Sequence, residues 1–492
     1  MSENINCKTF TIPGYVMNVV DILTSNGYEA YLVGGAVRDA ILKKSPKDFD
    51  IATNAKPEDM EKIFPRCVTT NARFGTVLVI IDSGVNDEKF DVEVTTYRME
   101  ADYFGGRWPG KVEFTSEIIN DLSRRDFTIN AMAINLAKFN ELNTEEDYFL
   151  DPFHGIDDIK SRMIRAVGSP LERFNEDGLR AFKACRLASE LNFDIESTTF
   201  DAIKQSLSVA KMISIERIRD EFIKTIYHSE KPSVGIELFR NSGLLEIFIP
   251  ELLEAMEIEQ PHFHEDNVYV HSLKVLDLCE DAIKIAGLLH DIGKIKTKII
   301  GPDGLTHFYG HDGVGADLAE AILGRMRFPK NEIKRIANLI RWHMFFYPSN
   351  EWRKNNKIEE VKDYTSEEDF GGWSDSAIRR FIGKVGEDSI DDLFKLRIAD
   401  ATANPKSVFD KKEIELLQDR IADVKAKDMV LKVKDLDING LDLQDIGVMP
   451  SPFMRVVLNK LLNEVIENPS NNNKEYLLSK ARELIKANDV NG

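Results

Sequence analysis

The sequence predicts an α+β fold in its first third and a mostly α-helical remainder. Two patterns carry this. Between residues 31 and 136, short apolar, β-prone runs alternate with glycine turns and brief helical stretches. From about residue 156 onward, apolar residues recur at helical spacing. A third observation sets the scale, since 492 residues leave room for several domains with cores of their own.

Taken in order, Val16 to Leu23 reads as an opening helix that ends at Asn26-Gly27. Tyr31-Leu-Val33 is a strand, Gly34-Gly35 a tight turn, and Ala36 to Leu42 a helix that leads through a loop to Asp48-Phe-Asp50. Pro57 to Phe64 is a short helix with proline in its first turn. Gly75 to Ile81 and Phe90 to Thr96 are strands separated by the turn Ser83-Gly-Val-Asn-Asp87. Residues 97–115 read as a mobile, glycine-rich loop with cationic and aromatic members. Asp151-Pro-Phe-His-Gly155 closes the first domain; residues 403–436 include a charged helical connector and 437–492 a tail.

Composition narrows the class. Hydrophobic residues at 43% and charged residues at 30% are ordinary for a globular chain, and no apolar run reaches membrane-spanning length. The start lacks the features of a signal peptide. The four cysteines, Cys7, Cys67, Cys185 and Cys279, form no Cys-x-x-Cys pair, which predicts reduced thiols and a cytoplasmic location. A formal charge of −19 disfavours diffuse binding to a phosphate backbone, so any RNA must be held by a local basic groove.

The chemistry concentrates at the start. A glycine turn into a helix aims backbone N–H groups at an anion, so Gly34 and Gly35 form a phosphate cradle, with Arg38 one turn along to pair with the phosphate. Asp48 and Asp50, at spacing i, i+2 on an extended segment, point the same way and suit Mg²⁺. Asp91 and Glu93 alternate onto one face of a later strand, and either could complete a three-carboxylate site. Arg124 and Arg125 lie between apolar segments, with Asp126 and Asn130 at helical spacing, a candidate nucleotide contact. Asp177, Arg180, Lys183 and Arg186 read as one helix face, an acceptor followed by three cations, suited to a base edge and its triphosphate or to exposed ion pairs.

A second constellation lies further on. Seven of the nine histidines fall within residues 262–405, beginning with His262 and His264. His271, His290-Asp291 within His-Asp-Ile-Gly-Lys294, His307, His311, His343 and Asp400 suit a divalent or transition metal that activates water.

Six motifs occur in order: Gly34-Gly-Ala-Val-Arg-Asp39, Asp48-Phe-Asp50, Glu93-Val-Thr-Thr-Tyr-Arg98, Arg124-Arg-Asp-Phe-Thr-Ile-Asn-Ala-Met132, Asp151-Pro152 with Gly155, and Glu176-Asp-Gly-Leu-Arg180. Together they resemble the class II tRNA nucleotidyltransferases (CCA-adding enzymes) and the related bacterial poly(A) polymerases. The resemblance implies a polymerase β-like nucleotidyltransferase head domain over 1–155, a helical neck that binds RNA over 156–260, an HD-type body over 261–405 and a helical tail over 406–492. It implies template-independent addition of CCA to the acceptor arm of tRNA from CTP and ATP. Asp48 and Asp50 would hold Mg²⁺, with Glu93 as a third carboxylate. Gly35 and Arg38 would contact phosphates, Arg124 or Arg125 the nucleotide, and Asp177 with Arg180 the base edge. The histidine cluster resembles HD-type phosphohydrolases, with His271, His290, Asp291 and Asp400 as ligands and His311 and His343 at the positions of a second metal. Lys183 stands where arginine is usual, and Gly105 where the family carries Asp. Partial addition (A-only or CC-only) and an HD-type phosphodiesterase acting on RNA ends therefore stand as alternatives.

Overall fold

Seven short strands join into one sheet that carries the first cluster of motifs. The strands of this region are β1 (Tyr31–Val33), β2 (Asp50–Thr53), β3 (Cys67–Val68), β4 (Thr76–Asp82), β5 (Lys89–Thr96), β6 (Arg98–Phe104), β7 (Trp108–Phe114), β8 (Ala133–Asn135) and β9 (Phe149–Leu150). The sheet order is β3-β4-β5-β2-β1-β8-β9, with β6 and β7 paired apart as a hairpin. Every pairing in the seven-stranded sheet is antiparallel except β2 with β5. The computed structural model describes residues 11–46, 48–82, 89–106, 108–139, 148–260, 265–302, 304–345, 347, 373–406, 411–427 and 432–489. The expected turn at 83–87, Lys47, Cys7, His262 and His264 lie outside them. The chain divides into two units, Met1–Leu253 and Glu254–Gly492.

In the first unit, helix α1 (Gly14–Ser25) buries Val16, Val19, Val20 and Leu23, an amphipathic stripe at i, i+3, i+4, i+7. Helix α2 (Gly35–Ile41) starts directly from β1. Between them Gly34 has φ +74° and ψ −140°, a conformation that only glycine adopts without strain. Along β5, Val92 and Val94 are buried while Asp91 and Glu93 face out, the period-2 pattern of a sheet with one covered face.

Residues 97–115 are not a loose loop. They fold as the β6–β7 hairpin, in register from Arg98 opposite Phe114 to Phe104 opposite Trp108. The cations and aromatics that suggested mobility are the side chains that fasten it. Glu100 accepts from Arg98 Nε at 2.6 Å, Arg124 Nη1 at 3.1 Å and the Tyr103 hydroxyl at 2.5 Å, and Arg98 Nη1 also donates to the Phe74 carbonyl. Gly105 and Gly106 supply the positive-φ turn at its tip.

Beyond residue 155 the unit is mostly helical, as expected, but Met163–Ile164 and Asp194–Ile195 pair as two short parallel strands. Helices Leu179–Leu191, Ile215–His228 and Pro232–Ser242 pack around Phe182, Phe222, Phe239 and Phe248, whose rings meet at 5.5–6.1 Å. In the second unit, helices Val268–Leu278, Lys284–Leu289, His311–Arg325, Lys330–Trp342 and Ile390–Ala403 bring the histidines together. A hairpin of Ile299–Ile300 with Thr306–His307 interrupts them. The tail helices Gly440–Asp445, Pro452–Glu467 and Lys474–Asp489 enclose Leu443, Val457, Leu461 and Leu477. Among the described residues, no helix is long and apolar enough to cross a membrane.

The helix Gly155–Lys160 depends on two features of the turn before it. The Asp151 carboxylate accepts from the Gly155 and Ile156 N–H groups at 2.7 and 2.9 Å, and a Cβ on Gly155 would lie 2.4 Å from the Thr128 carbonyl. Asp151→Ala should therefore cost about 1 kcal/mol, the usual loss of an N-terminal helix cap. Gly155→Ala should cost more, because a rigid backbone must move. Denaturant melts of the two variants check the order.

Candidate functional sites

The parallel pairing of β2 with β5 builds the first site. Ile51 is in register with Val94, so Asp50 and Glu93 fall side by side on the open face of the sheet. Asp48, two residues before Asp50, is exposed in the segment that leads into β2 and lies near enough to act on Asp50. Burial among neighbouring atoms raises the Asp50 carboxyl above its ordinary range, with Asp48 adding to the shift and Arg125 opposing it. Glu93 is raised by burial and by Asp50, against Arg98 and Arg125. Neighbouring carboxylates that raise one another's proton affinity are a donor set that a divalent cation relieves, so the residues present fit Mg²⁺.

Gly34 closes in on this cluster. A Cβ there would lie 3.2 Å from Arg125 Nη1 and 3.6 Å from Asp50 Oδ2. The first turn of α2 thus opens beside the carboxylates and a guanidinium. Arg38 does not stand free for a phosphate. It is buried, with Nε and Nη2 on Asp39 at 2.9 and 2.7 Å and Nη1 on Asn130 Oδ1 at 2.9 Å, so it braces the cradle from within.

Beside the carboxylates lies a pocket of about 440 Å³. Glu93, Arg98 and Glu100 line one part of its wall; Arg124, Arg125, Asp126, Asp177, Arg180 and Lys183 line another. Asp121, wholly buried, anchors this wall. Its Oδ1 accepts from Arg124 Nη2 at 2.7 Å and its Oδ2 from Arg125 Nη2 at 3.1 Å. Burial alone would raise the Asp121 carboxyl, but Arg124 and Arg125 hold it below the usual range. Asp126 is held low in the same way, burial being outweighed by Lys183, 3.7 Å away, and by Arg180. Asn130 donates to Asp126 at 3.3 Å, yet the two lie on a turn and a 3₁₀ segment rather than on an α-helix.

The Asp177–Lys183 wall of the pocket differs from a single helix face. Asp177 precedes the helix, in extended conformation, with Oδ1 accepting from Leu179 N–H at 3.1 Å and Oδ2 from Arg217 at 3.4 Å. Arg180 is fixed by Glu176 at 2.6 Å and by the Arg124 carbonyl at 2.8 Å. Arg186 does not join them. Six residues past Arg180 it has turned about 240° around the axis, and it pairs with Glu221 at 2.5 Å and Glu190 at 2.6 Å. At the hairpin tip, Gly178 N–H donates to the Gly106 carbonyl at 3.0 Å, joining β6–β7 to the Asp177 turn. Asp121, Glu100 and Tyr103 escaped sequence reasoning. Asp121 stands in the acidic–basic run before Arg124, but nothing local marks Glu100, whose partners are set by tertiary pairing.

The second site assembles in the other unit. His271, His290 and Asp400 form one group of buried ligand atoms, and His290, Asp291 and His343 another, each within 4.8 Å. The Asp291 carboxylate faces both ways: Oδ2 lies 3.4 Å from His290 Nε2 and 3.8 Å from His271 Nε2, and Oδ1 lies 3.4 Å from His311 Nε2 and 3.8 Å from His343 Nε2. The Nδ1 atoms of His290, His311 and His343 meet the carbonyls of Gly287, Phe308 and Ile340 at 2.6–2.8 Å. A donating Nδ1 leaves each Nε2 lone pair aimed inward, the arrangement that orients histidines on a metal. Those three Nε2 atoms are buried without closing an ordinary hydrogen bond. Although burial opposes it, Asp291 and Asp400 push His290 up to about 10; the anionic centre favours a cation at Nε2, a place that a metal ion would take from the proton. The donor set fits one or two divalent or transition metal ions. Lys294 donates to Asp291 at 2.7 Å and Gln260 at 2.6 Å. His307 is not part of the cluster; it stacks on Tyr309.

Four family models match successive stretches of the chain. They are the poly(A) polymerase head domain over 30–165, an RNA and SrmB-binding site of polymerase A over 192–256, the HD domain over 268–404 and tRNA nucleotidyltransferase domain 2 over 396–481. A CCA-adding enzyme of Streptococcus agalactiae is 44% identical over 200 residues, which cover 41% of this chain and 46% of that protein. The aligned stretch thus spans about half the length of such relatives. The CCA-adding enzyme of Ligilactobacillus salivarius is 29% identical over 483 residues and 95% of each chain. In fold, the chain is similar to the CCA-adding enzyme of Bacillus stearothermophilus solved with CTP, with a TM-score of 0.63 at 23% identity over 97% of this chain and 98% of that one. The Thermotoga maritima enzyme solved with tRNA gives 0.51 at 19% identity over 97% and 98%.

Because Asp121 is fully buried between two guanidinium groups, Asp121→Asn should destabilise the first unit by about 3–5 kcal/mol at neutral pH. A carboxyl held low in the folded chain contributes its stability above its unfolded value, near 3.9, and loses it as pH falls through the folded one. The variant should therefore lose less stability below pH 4 than the parent, as urea melts across pH 2.5–7 would show.

Proposed function

We propose that this chain, which belongs to the class II tRNA nucleotidyltransferase and bacterial poly(A) polymerase family and carries an HD-type domain, adds C, C and A to tRNA 3′ ends without a nucleic-acid template. The observation that carries the reading is the meeting of Asp50, Glu93, Gly34 and Arg125 beside a pocket walled by Asp177 and Arg180. In this reading the head spans 1–155, the neck 156–260, the HD-type body 261–405 and the tail 406–492, and the reaction takes place in the cytoplasm.

Asp48 and Asp50, with Glu93 alongside, hold Mg²⁺, which supplies charge stabilisation at the reacting phosphorus. The α2 N-terminus at Gly34-Gly35 and the Arg125 guanidinium neutralise the triphosphate. The RNA 3′-hydroxyl oxygen bonds to the α-phosphorus of CTP or ATP, the bond to the β-phosphate breaks, and pyrophosphate and a proton leave. Cytosine and adenine both present an amino donor beside a ring-nitrogen acceptor. Asp177 accepts from the first and Arg180 donates to the second, whereas uracil and guanine present the reverse pattern. Arg124 shapes the pocket through Asp121 and Glu100. Lys183 and Asp126 adjust its charge, and Arg186 supports the helix from behind.

A second activity is favoured by the His271, His290, Asp291, His311, His343 and Asp400 cluster. Bound metal ions there would activate water for phosphoester hydrolysis at RNA ends. Asp291 bridges the two halves of the ligand set, and Lys294 holds Asp291 in place.

The two activities should separate by mutation. Asp48→Ala should abolish nucleotide addition, by at least about a thousandfold, and leave metal uptake by the histidine cluster intact. His290→Ala with Asp291→Ala should leave addition intact and lose the tightly bound metal measured by mass spectrometry. Survival of addition in Asp48→Ala would contradict the carboxylate assignment.

A further inference from the structure

Two residues before His311, the chain presents an aromatic pair that neither activity uses. Tyr309 lies parallel to His307, ring centroids 5.1 Å apart and planes 9° from parallel, and its hydroxyl meets His307 Nδ1 at 3.3 Å. Tyr309 is 71% exposed. His307 sits on the hairpin strand opposite Ile299, which fixes the inner ring of the stack. Between the two, Phe308 belongs to the histidine–aspartate centre: its carbonyl orients His311 Nδ1 at 2.8 Å, and the Lys294 ammonium stands 5.5 Å from its ring centre.

We propose that the His307–Tyr309 pair is a nucleobase platform, so that the HD-type centre selects phosphoesters carried by a nucleoside over base-free ones. The proposal rests on the hydrolytic reading of that centre. A tyrosine already held flat by a second ring has little freedom left to lose when a planar ligand stacks on its outer face. Two residues of chain span at most about 7 Å, comparable with the separation of base and ribose phosphate within one nucleotide. Tyr309 thus lies within about one nucleotide's length of His311 along the chain, and in this proposal a base on Tyr309 has its phosphate at the His311 side of the cluster. Stacking tolerates every base, because each has a π-face, which suits a centre that acts on RNA ends of any sequence. In the hydrolysis itself, a water oxygen bonds to phosphorus, one bond from phosphorus to a ribose oxygen breaks, and that ribose oxygen takes up a proton.

The test compares adenosine 2′,3′-cyclic phosphate with 1-O-methylribose 2′,3′-cyclic phosphate, using the full chain with Mg²⁺, Mn²⁺ or Ni²⁺ supplied in turn. The unaltered protein should favour the adenosine compound in kcat/KM by about tenfold, the scale of one base stacked on an aromatic side chain. Tyr309→Ala should bring the ratio close to one, chiefly through KM, and Tyr309→Phe should preserve it. An unchanged ratio in Tyr309→Ala overturns the proposal. If neither compound is hydrolysed, the hydrolytic reading fails, and photolabelling with 8-azidoadenosine 2′-phosphate decides the platform by itself. Label on the peptide that contains Tyr309 sustains it, and label only elsewhere overturns it.

Discussion

The first site depends on one buried carboxylate. Asp121 lies in the core beneath two arginines that would otherwise repel each other, and it accepts from both. Through Arg125 it reaches the Gly34 turn and Asp50; through Arg124 it reaches Glu100, and with that the β6–β7 hairpin. Arg124 in turn offers its carbonyl to Arg180. A single ion cluster therefore links Asp50, the Gly34 turn, the β6–β7 hairpin and Arg180. Buried charges of this kind contribute little net stability compared with apolar packing, and their value here is geometric. Each guanidinium is held in place by the fold itself, the kind of preorganisation that electrostatic recognition uses.

The hairpin is part of the same logic. Gly105, at the hairpin tip, has a positive φ, and a Cβ there would meet nothing within 4 Å. Here the tip is joined to the Asp177 turn by the backbone, through the Gly106 carbonyl and Gly178 N–H. A backbone link of this sort does not involve the side chain at 105, so it ties the hairpin to the Asp177 turn whichever residue stands there. The overall charge of −19 is compatible with this design because the cations that matter are gathered at one pocket and compensated locally.

Much of this was legible in the sequence for physical reasons. Gly34-Gly35 between a β-prone run and a helical one reads as a strand–turn–helix, and the chain passes there from β1 through Gly34 into α2. The histidine–aspartate set was legible because ligand residue types are rare enough that their clustering stands out. Tertiary partners were not legible. Nothing local pairs Arg38 with Asn130, or Arg186 with Glu221; the fold brings them together. Residues 97–115 looked mobile because glycines and charges were counted without their cross-strand pairs. Asp177 was assigned to a helix face that starts only after it.

In the proposed reaction the protein itself, not a template strand, chooses C and A at a pocket built on the Asp121 cluster. The most direct measurement supplies the purified chain and Mg²⁺ with a tRNA transcript lacking its last three nucleotides, and with each nucleoside triphosphate singly and in pairs. The account predicts two added residues with CTP alone, three with CTP and ATP, and none with UTP or GTP. Uridine or guanosine incorporation at rates comparable with cytidine, or no extension with CTP, would contradict it.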